Sequence, residues 1–270
     1  MVVSLYGYDA SRLLRDDAWV ERYCWAARHG AVFVALCDSM RDFVVDRGVP
    51  ADAVVVVPLG LDLSRWKFAP ESEPETPRFV FVGRLVEKKG VDRLVRAFAR
   101  AFSDGRSGSA GPRLDIFGSG PCESSLCALI EELGLGSAVI LRGALPRQHV
   151  TEAWRSATAP VLPSVTAPDG DQEGTPIVLM EVQATGLPCI TTAHAGNADV
   201  ISPCAQDYVV PPGDVEALAG ALANMSTLSS DRRDELQHEG RKWIEGRYDL
   251  ARTVEGYDCL YRRLITSSDC

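Results

Sequence analysis

The stretch EGTPIVLME, Glu173 to Glu181, sets two carboxylates eight positions apart around a Gly-Thr-Pro turn. Thr175 reads as an N-cap, Pro176 suits the first position of a helix, and Ile177 to Ala184 carries an apolar helical run. Gly174, with no Cβ, lets the backbone come close to something outside the chain. With ~1.5 Å of rise per residue, Glu181 falls roughly a turn and a half inside the helix, while Glu173 stands ahead of the helix's first free N–H groups. One elongated ligand could touch both acids.

Further loops offer complementary chemistry. In FVGRLVEKKG, Phe81 to Gly90, Gly83 ends a strand and Arg84, Lys88 and Lys89 follow before a helix begins. A diphosphate would find there a guanidinium, ammonium groups and helix-end N–H groups; the plainer reading is a solvated basic loop. IFGSGPCE, Ile116 to Glu123, places Gly118 and Gly120 at a second strand-to-helix turn. It lacks the third glycine of a dinucleotide fingerprint, so a plain βα turn is the alternative. The loop LPSVTAPDGDQEGTP, Leu162 to Pro176, is long enough to suggest a functional role. Its Asp169, Asp171 and Glu173 have no histidine beside them and no defined ligand spacing, so a solvated acidic loop is expected rather than a metal site. TTAHAGNAD, Thr191 to Asp199, offers His194 for phosphate contact or proton transfer, or merely as a surface side chain. Near the start, Arg12, Arg15 and Arg22 interleave with Leu13, Leu14, Trp19 and Tyr23. A solvated amphipathic helix explains them more simply than a membrane-facing one.

These loops need a scaffold that brings them to one edge. Short β-branched runs alternate with helical patterns along most of the chain, the mark of βα units and parallel sheets. Val2 to Leu5, Ala31 to Ala35 and Val54 to Val57 read as strands, separated by helices near Ser11 to His29 and Ser39 to Arg47. The segment Phe68 to Pro77 reads as a linker, rich in proline and acids. A fuller series follows, with strands at Phe79 to Val82, Leu114 to Phe117, Val139 to Leu141, Pro160 to Pro163, Cys189 to Thr192 and Tyr208 to Val210. Helices are expected from Gly90, over Glu123 to Leu133, around Val150 to Ala157, from Pro176, and over Asp231 to Arg247 and Leu250 to Ile265. After Gly90, Val91, Leu94, Val95, Phe98 and Phe102 recur at helical spacing and must face a sheet. The expected fold class is α/β with a doubly wound, Rossmann-like sheet, whose ligands lie outside the carboxyl ends of the strands.

Composition narrows the function classes. A chain of 270 residues with 46% hydrophobic and 24% charged content is ordinary for roughly two globular domains. A net charge of −9 argues against broad nucleic-acid binding, so an anionic ligand must be met by a local basic cluster. The cysteines at 24, 37, 122, 127, 189, 204, 259 and 270 form no CxxC pair and no histidine ladder, which fits reduced thiols in a cytoplasm. No run approaches the ~20 apolar residues of a membrane span. MVVSLYGYDA lacks the pattern of a signal peptide, and VVSL opens on a strand with no preceding loop or helix.

Taken in order, VGRLVEKKG, IFGSGP and LPS followed by EGTPIVLMEVQATGLPCITT resemble the donor-nucleotide domain of the retaining GT-B glycosyltransferases of family 4, the glycosyl transferases group 1. The likeness runs from about Val54 to Ile265 and includes the V-P-x-G-x-D turn as VPLGLD. Exopolysaccharide-building members of the colanic-acid type are nearest in flavour, since GYD near the start is similar to a loop of their first domain. The resemblance implies that Glu173 meets hydroxyls of a donor sugar and Glu181 the nucleotide ribose. It implies that the stretch Gly174, Thr175, Pro176, Ile177 and Val178 lines the donor and presents the backbone N–H groups of its four non-proline residues, and that Arg84 and Lys89 hold the diphosphate beside the glycine turns at Gly83, Gly118 and Gly120. The implied donor is a nucleoside-diphosphate sugar of UDP or GDP type, with no cofactor and no metal. The acceptor would be a hydroxyl of a glycan or a lipid-linked molecule, attacking the donor's anomeric carbon with retention, in the cytoplasm or at the inner face of the membrane.

Three departures from the family pattern stand out. Tyr6 occupies the place of a histidine that touches the donor sugar, Gly196-Asn197-Ala198-Asp199 replaces G-x-P-E, and the opening strands of the first domain with their acceptor loops are missing from the likeness. The expected organisation is therefore a partial N-terminal, acceptor-side domain over 1–66, a linker over 67–77, a donor-binding domain over 78–247, and a C-terminal helix over 248–270 that crosses back to the first domain. A complementing N-terminal half would complete the enzyme. The alternative function is a non-catalytic nucleotide-sugar or partner-binding module, favoured by an exposed apolar edge around Val2 to Leu5. An isomerase or epimerase on the same architecture is a weaker third reading.

Overall fold

The computed structural model describes residues 1–69, 74–102, 111–144 and 146–266, with the backbone alone at 147 and 148. Two parallel sheets organise the chain. The first holds β1 (Val2–Ser4), β2 (Val32–Ala35) and β3 (Val54–Val56) in the order β1-β2-β3. Helices α1 (Asp17–Arg28) and α2 (Asp38–Asp46) connect them. Period-two alternation divides β2 between two cores: Phe33 and Ala35 face a cluster with Leu5, Leu14, Met40 and Val44, whereas Val34 faces the opposite side.

The expected helix over Ser11 to His29 starts later than its apolar pattern suggested. Leu13–Arg15 is a single 3-10 turn, and α1 begins at Asp17, where the Asp16 carboxylate accepts from the Ala18 N–H at 3.0 Å. Arg12 and Arg15 thus lie in the segment leading to α1 rather than on its face, while Arg22 stacks over Trp19 at 4.6 Å.

The second sheet holds β4 (Arg78–Val82), β5 (Arg113–Phe117), β6 (Val139–Gly143), β7 (Ala159–Leu162), β8 (Ile190–Thr192) and β9 (Val209–Val210). Their order is β6-β5-β4-β7-β8-β9, with all neighbours parallel. This is the doubly wound order, and it reverses direction between β4 and β7, where a ligand crevice opens. The central strands β4, β5 and β7 are largely buried on both faces and read as near-continuous apolar runs, whereas the edge strand β6 is mostly half-buried. Connecting them are α3 (Val91–Ala101), α4 (Glu123–Glu132), α5 (Arg147–Arg155), α6 (Ile177–Thr185) and the short α7 (Asn197–Val200). In α3 the residues Val91, Leu94, Val95 and Phe98 are buried against the sheet, as their spacing predicts.

Beyond β9 lies α8 (Val215–Met225), a helix that the sequence reading missed. Its signal was present in the Asp214 N-cap, whose carboxylate accepts from Ala217 N–H at 2.9 Å, but the run VEALAGALANM has little amphipathic contrast because its exposed stripe holds only Glu216, Gly220 and Asn224. Helices α9 (Ser230–Arg247) and α10 (Leu250–Thr266) end the described chain. Arg241 of α9 donates at 2.6 Å to the carbonyls of Trp66 and Ala184, joining the stretch before β4 to the last turn of α6. Phe68, in the expected linker, packs on His238 with ring centroids 5.0 Å apart; residues 70–73 of that linker lie outside the described residues.

Helix α10 lies across the three-stranded sheet, with Leu260 buried beside Val34 and Val57. Tyr257 OH is 2.8 Å from Ser4 Oγ, and Thr253 Oγ1 donates to Pro58 O at 2.8 Å. The VPLGLD turn receives this helix: Leu61 N–H donates to Tyr248 O at 2.7 Å and Leu250 N–H to Leu61 O at 3.0 Å. A Cβ on Gly60 would stand 2.6 Å from Leu250 Cα, so only glycine admits so close a crossing. The apolar edge anticipated at Val2 to Leu5 is partly covered: Leu5 is fully buried, and Val2 packs toward α10.

Candidate functional site

The crevice between β4 and β7 gathers the loops singled out by their residues. Gly90, at φ +61°, sits where a Cβ would collide with the Pro163 carbonyl, and Val165 N–H donates to Lys88 O at 2.8 Å. This contact seats the basic loop after β4 against the acidic loop after β7. Lys89 Nζ lies 2.9 Å from Glu173 Oε1, an ion pair outside hydrogen-bond alignment, and both side chains are largely buried. Lys88 Nζ reaches Asp171 Oδ2 at 3.0 Å and donates to Gln172 O at 3.1 Å. Arg84 is exposed, and its guanidinium has no ion pair or hydrogen bond among the described residues.

The glycines at these turns serve the chain's own packing. Gly83 N–H donates to Phe117 O at 3.0 Å and Leu85 N–H to Ser119 O at 2.9 Å, which extends the β4–β5 pairing into the loops. A Cβ on Gly118, at φ +149°, would run into Gly83 O, and one on Gly120 into Leu85 O. Close approach at Gly118 and Gly120 is thus loop against loop. Gly174 also meets backbone within the chain, that of Tyr6 and Gly7, since a Cβ there would stand 2.5 Å from Tyr6 O.

Helix α6 begins at Ile177, one residue later than predicted. Pro176 is its N-cap, with ψ 107° holding it extended, and no side chain caps the helix. Thr175 is buried with its hydroxyl toward the Cys37 thiol and does not cap, so the first-turn N–H groups of Ile177 and Val178 lack a side-chain acceptor. Ile177 is exposed, Val178 packs partly on the core, and Glu181 is buried one turn further along.

The loop after β8 closes the site. His194 is buried, its Nε2 is 3.1 Å from Thr166 Oγ1, and its Nδ1 has no partner. Burial pushes its imidazole below the ordinary value, opposed by the Glu173 carboxylate and assisted by the Lys88 ammonium. Ala195 has φ +47°, a conformation costing a non-glycine residue roughly 1–2 kcal/mol. A Cβ on Gly196 would meet Gly174 O at 2.8 Å and Cys37 Sγ at 3.0 Å. Ser164 Oγ and Asn197 Oδ1 are likewise buried without a partner, so unsatisfied polar atoms gather where β7 and β8 end. Asp199 accepts from Ser39 Oγ at 2.9 Å and, through its carbonyl, from Tyr248 OH at 2.7 Å.

The sequence reading missed the links from the segment between β1 and α1. Arg12 Nη1 is 3.0 Å from Asp169 Oδ2, and Gln172 N–H donates to Ser11 Oγ at 3.3 Å. Each acid of the loop therefore has its own cation: Asp169 has Arg12, Asp171 has Lys88 and Glu173 has Lys89. Also missed was Asp115, buried between Arg78 Nε and Arg142 Nε at 2.6 Å each, a pairing across three strands that no local spacing announces.

The sequence profile of the family described as glycosyl transferases group 1 matches residues 63–243. The chain belongs to this family. Among its relatives, the putative colanic acid biosynthesis glycosyltransferase WcaL of Escherichia coli (strain K12) is 31% identical over 241 residues, covering 89% of this chain and 58% of the relative. The amylovoran biosynthesis glycosyltransferase AmsK of Erwinia amylovora is 31% identical over 189 residues, covering 70% of this chain and 46% of the relative. The chain thus spans about half the length of the curated relatives it matches. Among solved structures, Anabaena Alr3699/HepE in complex with UDP and glucose superposes with a TM-score of 0.78 at 17% identity, covering 96% of this chain and 71% of that one. The fold is accordingly α/β of the GT-B type, with a doubly wound sheet and a second, smaller parallel sheet. Among the described residues, no helix is long and apolar enough to cross a membrane.

Proposed function

We propose that this chain supplies the donor half of a retaining glycosyltransferase that moves a sugar from a nucleoside-diphosphate donor to a hydroxyl of a glycan or lipid-linked acceptor in exopolysaccharide synthesis. The observation that carries the reading is the Lys89–Glu173 pair at the sheet's switch point, beside the uncapped N-terminus of α6. On this reading the diphosphate lies against Arg84, Lys89 and the first N–H groups of α6, at Ile177 and Val178, where its developing negative charge is stabilised as the glycosidic bond breaks. Glu173 accepts hydrogen bonds from donor-sugar hydroxyls and Glu181 from the ribose. Lys89 neutralises Glu173 until the diphosphate takes a share of its charge. Gly83, Gly118 and Gly120 act by letting the loops beneath the diphosphate pack.

Retention follows from an acceptor hydroxyl attacking on the face from which the nucleoside diphosphate departs, its proton passing to the leaving phosphate oxygen. The acceptor approaches from the side of the three-stranded sheet, of which β1 is an edge strand. Free thiols at the seven described cysteines fit a cytoplasmic setting, at the inner membrane face where the acceptor is lipid-linked. Calorimetric titration with UDP, GDP and ADP tests the reading. Saturable binding of one nucleotide that is weakened in Arg84→Ala is expected; a folded chain that binds none overturns it.

A further inference from the structure

The acids at 169, 171 and 173 alternate along one loop, and each meets its own cation: Arg12 from the segment before α1 for the first, and the adjacent Lys88 and Lys89 at the end of the basic loop after β4 for the other two. Other contacts hold the same loop to the first domain. Ser11 Oγ donates to Gly7 O at 2.8 Å while accepting from Gln172 N–H, and the Arg15 guanidinium packs where a Cβ on Gly170, at φ +85°, would stand. Within the loop, Ala167 N–H donates to Asp171 O at 3.0 Å and Asp171 N–H to Asp169 Oδ1 at 3.0 Å, so moving one acid moves its neighbours.

From this arrangement, and resting on the donor-site reading above, we propose that Arg12 and Lys88 are positioning residues for Glu173, and that the Arg12–Asp169 pair couples donor-sugar binding to the seating of the first domain on the second. Helix α6 needs no such help: Leu179, Met180 and Val182 anchor it in the core, so its N-terminal N–H groups stay in place whatever the loop does. Glu173, six residues ahead of the first of these anchors, depends on the loop. Loosening the loop therefore weakens recognition of the sugar while leaving recognition of the diphosphate. The two rungs differ in strength. Arg12 and Asp169 are each 46% exposed, so their pair is open to screening by salt. Lys88 and Asp171 are 13% and 23% exposed, and theirs is held more firmly.

The test compares affinities of the folded chain for UDP and UDP-glucose, and for GDP and GDP-mannose, by calorimetry. The ratio of sugar-nucleotide to diphosphate affinity is expected to fall about threefold in Arg12→Ala and about tenfold in Lys88→Met. Bare-diphosphate affinity stays within about twofold, since α6 is unchanged. The exchange Arg12→Asp with Asp169→Arg rebuilds the exposed pair and is expected to restore the ratio, and raising the salt is expected to erode it in the wild type more than in Arg12→Ala. A wild-type ratio in both single variants, or an exchanged pair no better than Arg12→Ala, overturns the proposal. Wild-type protein that binds no nucleotide overturns the donor-site reading itself, and this inference with it.

Discussion

Single side chains at the switch point carry separable burdens. Arg84 is exposed and extends from a loop, so Arg84→Ala is expected to leave stability unchanged and to weaken UDP or GDP binding at least tenfold while sparing the nucleoside, as paired titrations would show. Glu181 is buried in α6, so Glu181→Gln is the better probe of ribose contact than truncation; nucleoside and diphosphate affinity are expected to fall together. His194 gives a pH signature. Its folded-state pKa is depressed by burial, so the unfolded chain takes up a proton first as pH falls. The neutral imidazole's stability contribution is complete above the ordinary value of 6.5 and is lost as pH falls from there through the lower folded-state value. Denaturant midpoints between pH 7 and pH 5 are expected to fall in the wild type and to flatten in His194→Gln.

At the scale of elements, the site depends on loops that touch one another. Gly118→Ala places a Cβ on the Gly83 carbonyl at a φ that L-residues avoid, and a loss of about 2–5 kcal/mol in unfolding free energy is expected from chemical denaturation. Reading strand–helix alternation, the periodicity of α3 and the loops after β4, β5, β7 and β8 needed only local pattern. Those signals persist in isolated segments because side-chain period follows backbone geometry. The start of α1, the N-cap of α6 and the whole of α8 were less legible. In α8 the exposed stripe is Glu216, Gly220 and Asn224, a single charge beside a glycine and an amide, which blunts the contrast that marks an amphipathic helix. The neighbours of Gly118, Gly120 and Gly174 within the chain were illegible for a related reason: glycine announces close approach but not what approaches.

Across the whole molecule, α10 returns to the first sheet and closes the apolar face of Val34, Val55 and Val57. Leu260→Ala is expected to cost about 2–5 kcal/mol in stability and to make α10 the first segment cut in limited proteolysis. The contact runs through the VPLGLD turn, so Gly60→Val is expected to produce the same early cleavage without touching the sheet's core.

The sequence by itself determined the α/β class, the strand ends where chemistry gathers, and the family, because these rest on residue type and spacing along one stretch of chain. Tertiary structure alone decided that Glu173 faces Lys89 across 84 residues, that Asp169 is claimed by Arg12 of the other domain, and that Asp115 is held between Arg78 and Arg142. Such pairs join groups far apart in sequence, and which cation reaches which acid depends on the crossing of strands and the packing of glycine turns. Charge carries sign but no address, and the fold supplies the address.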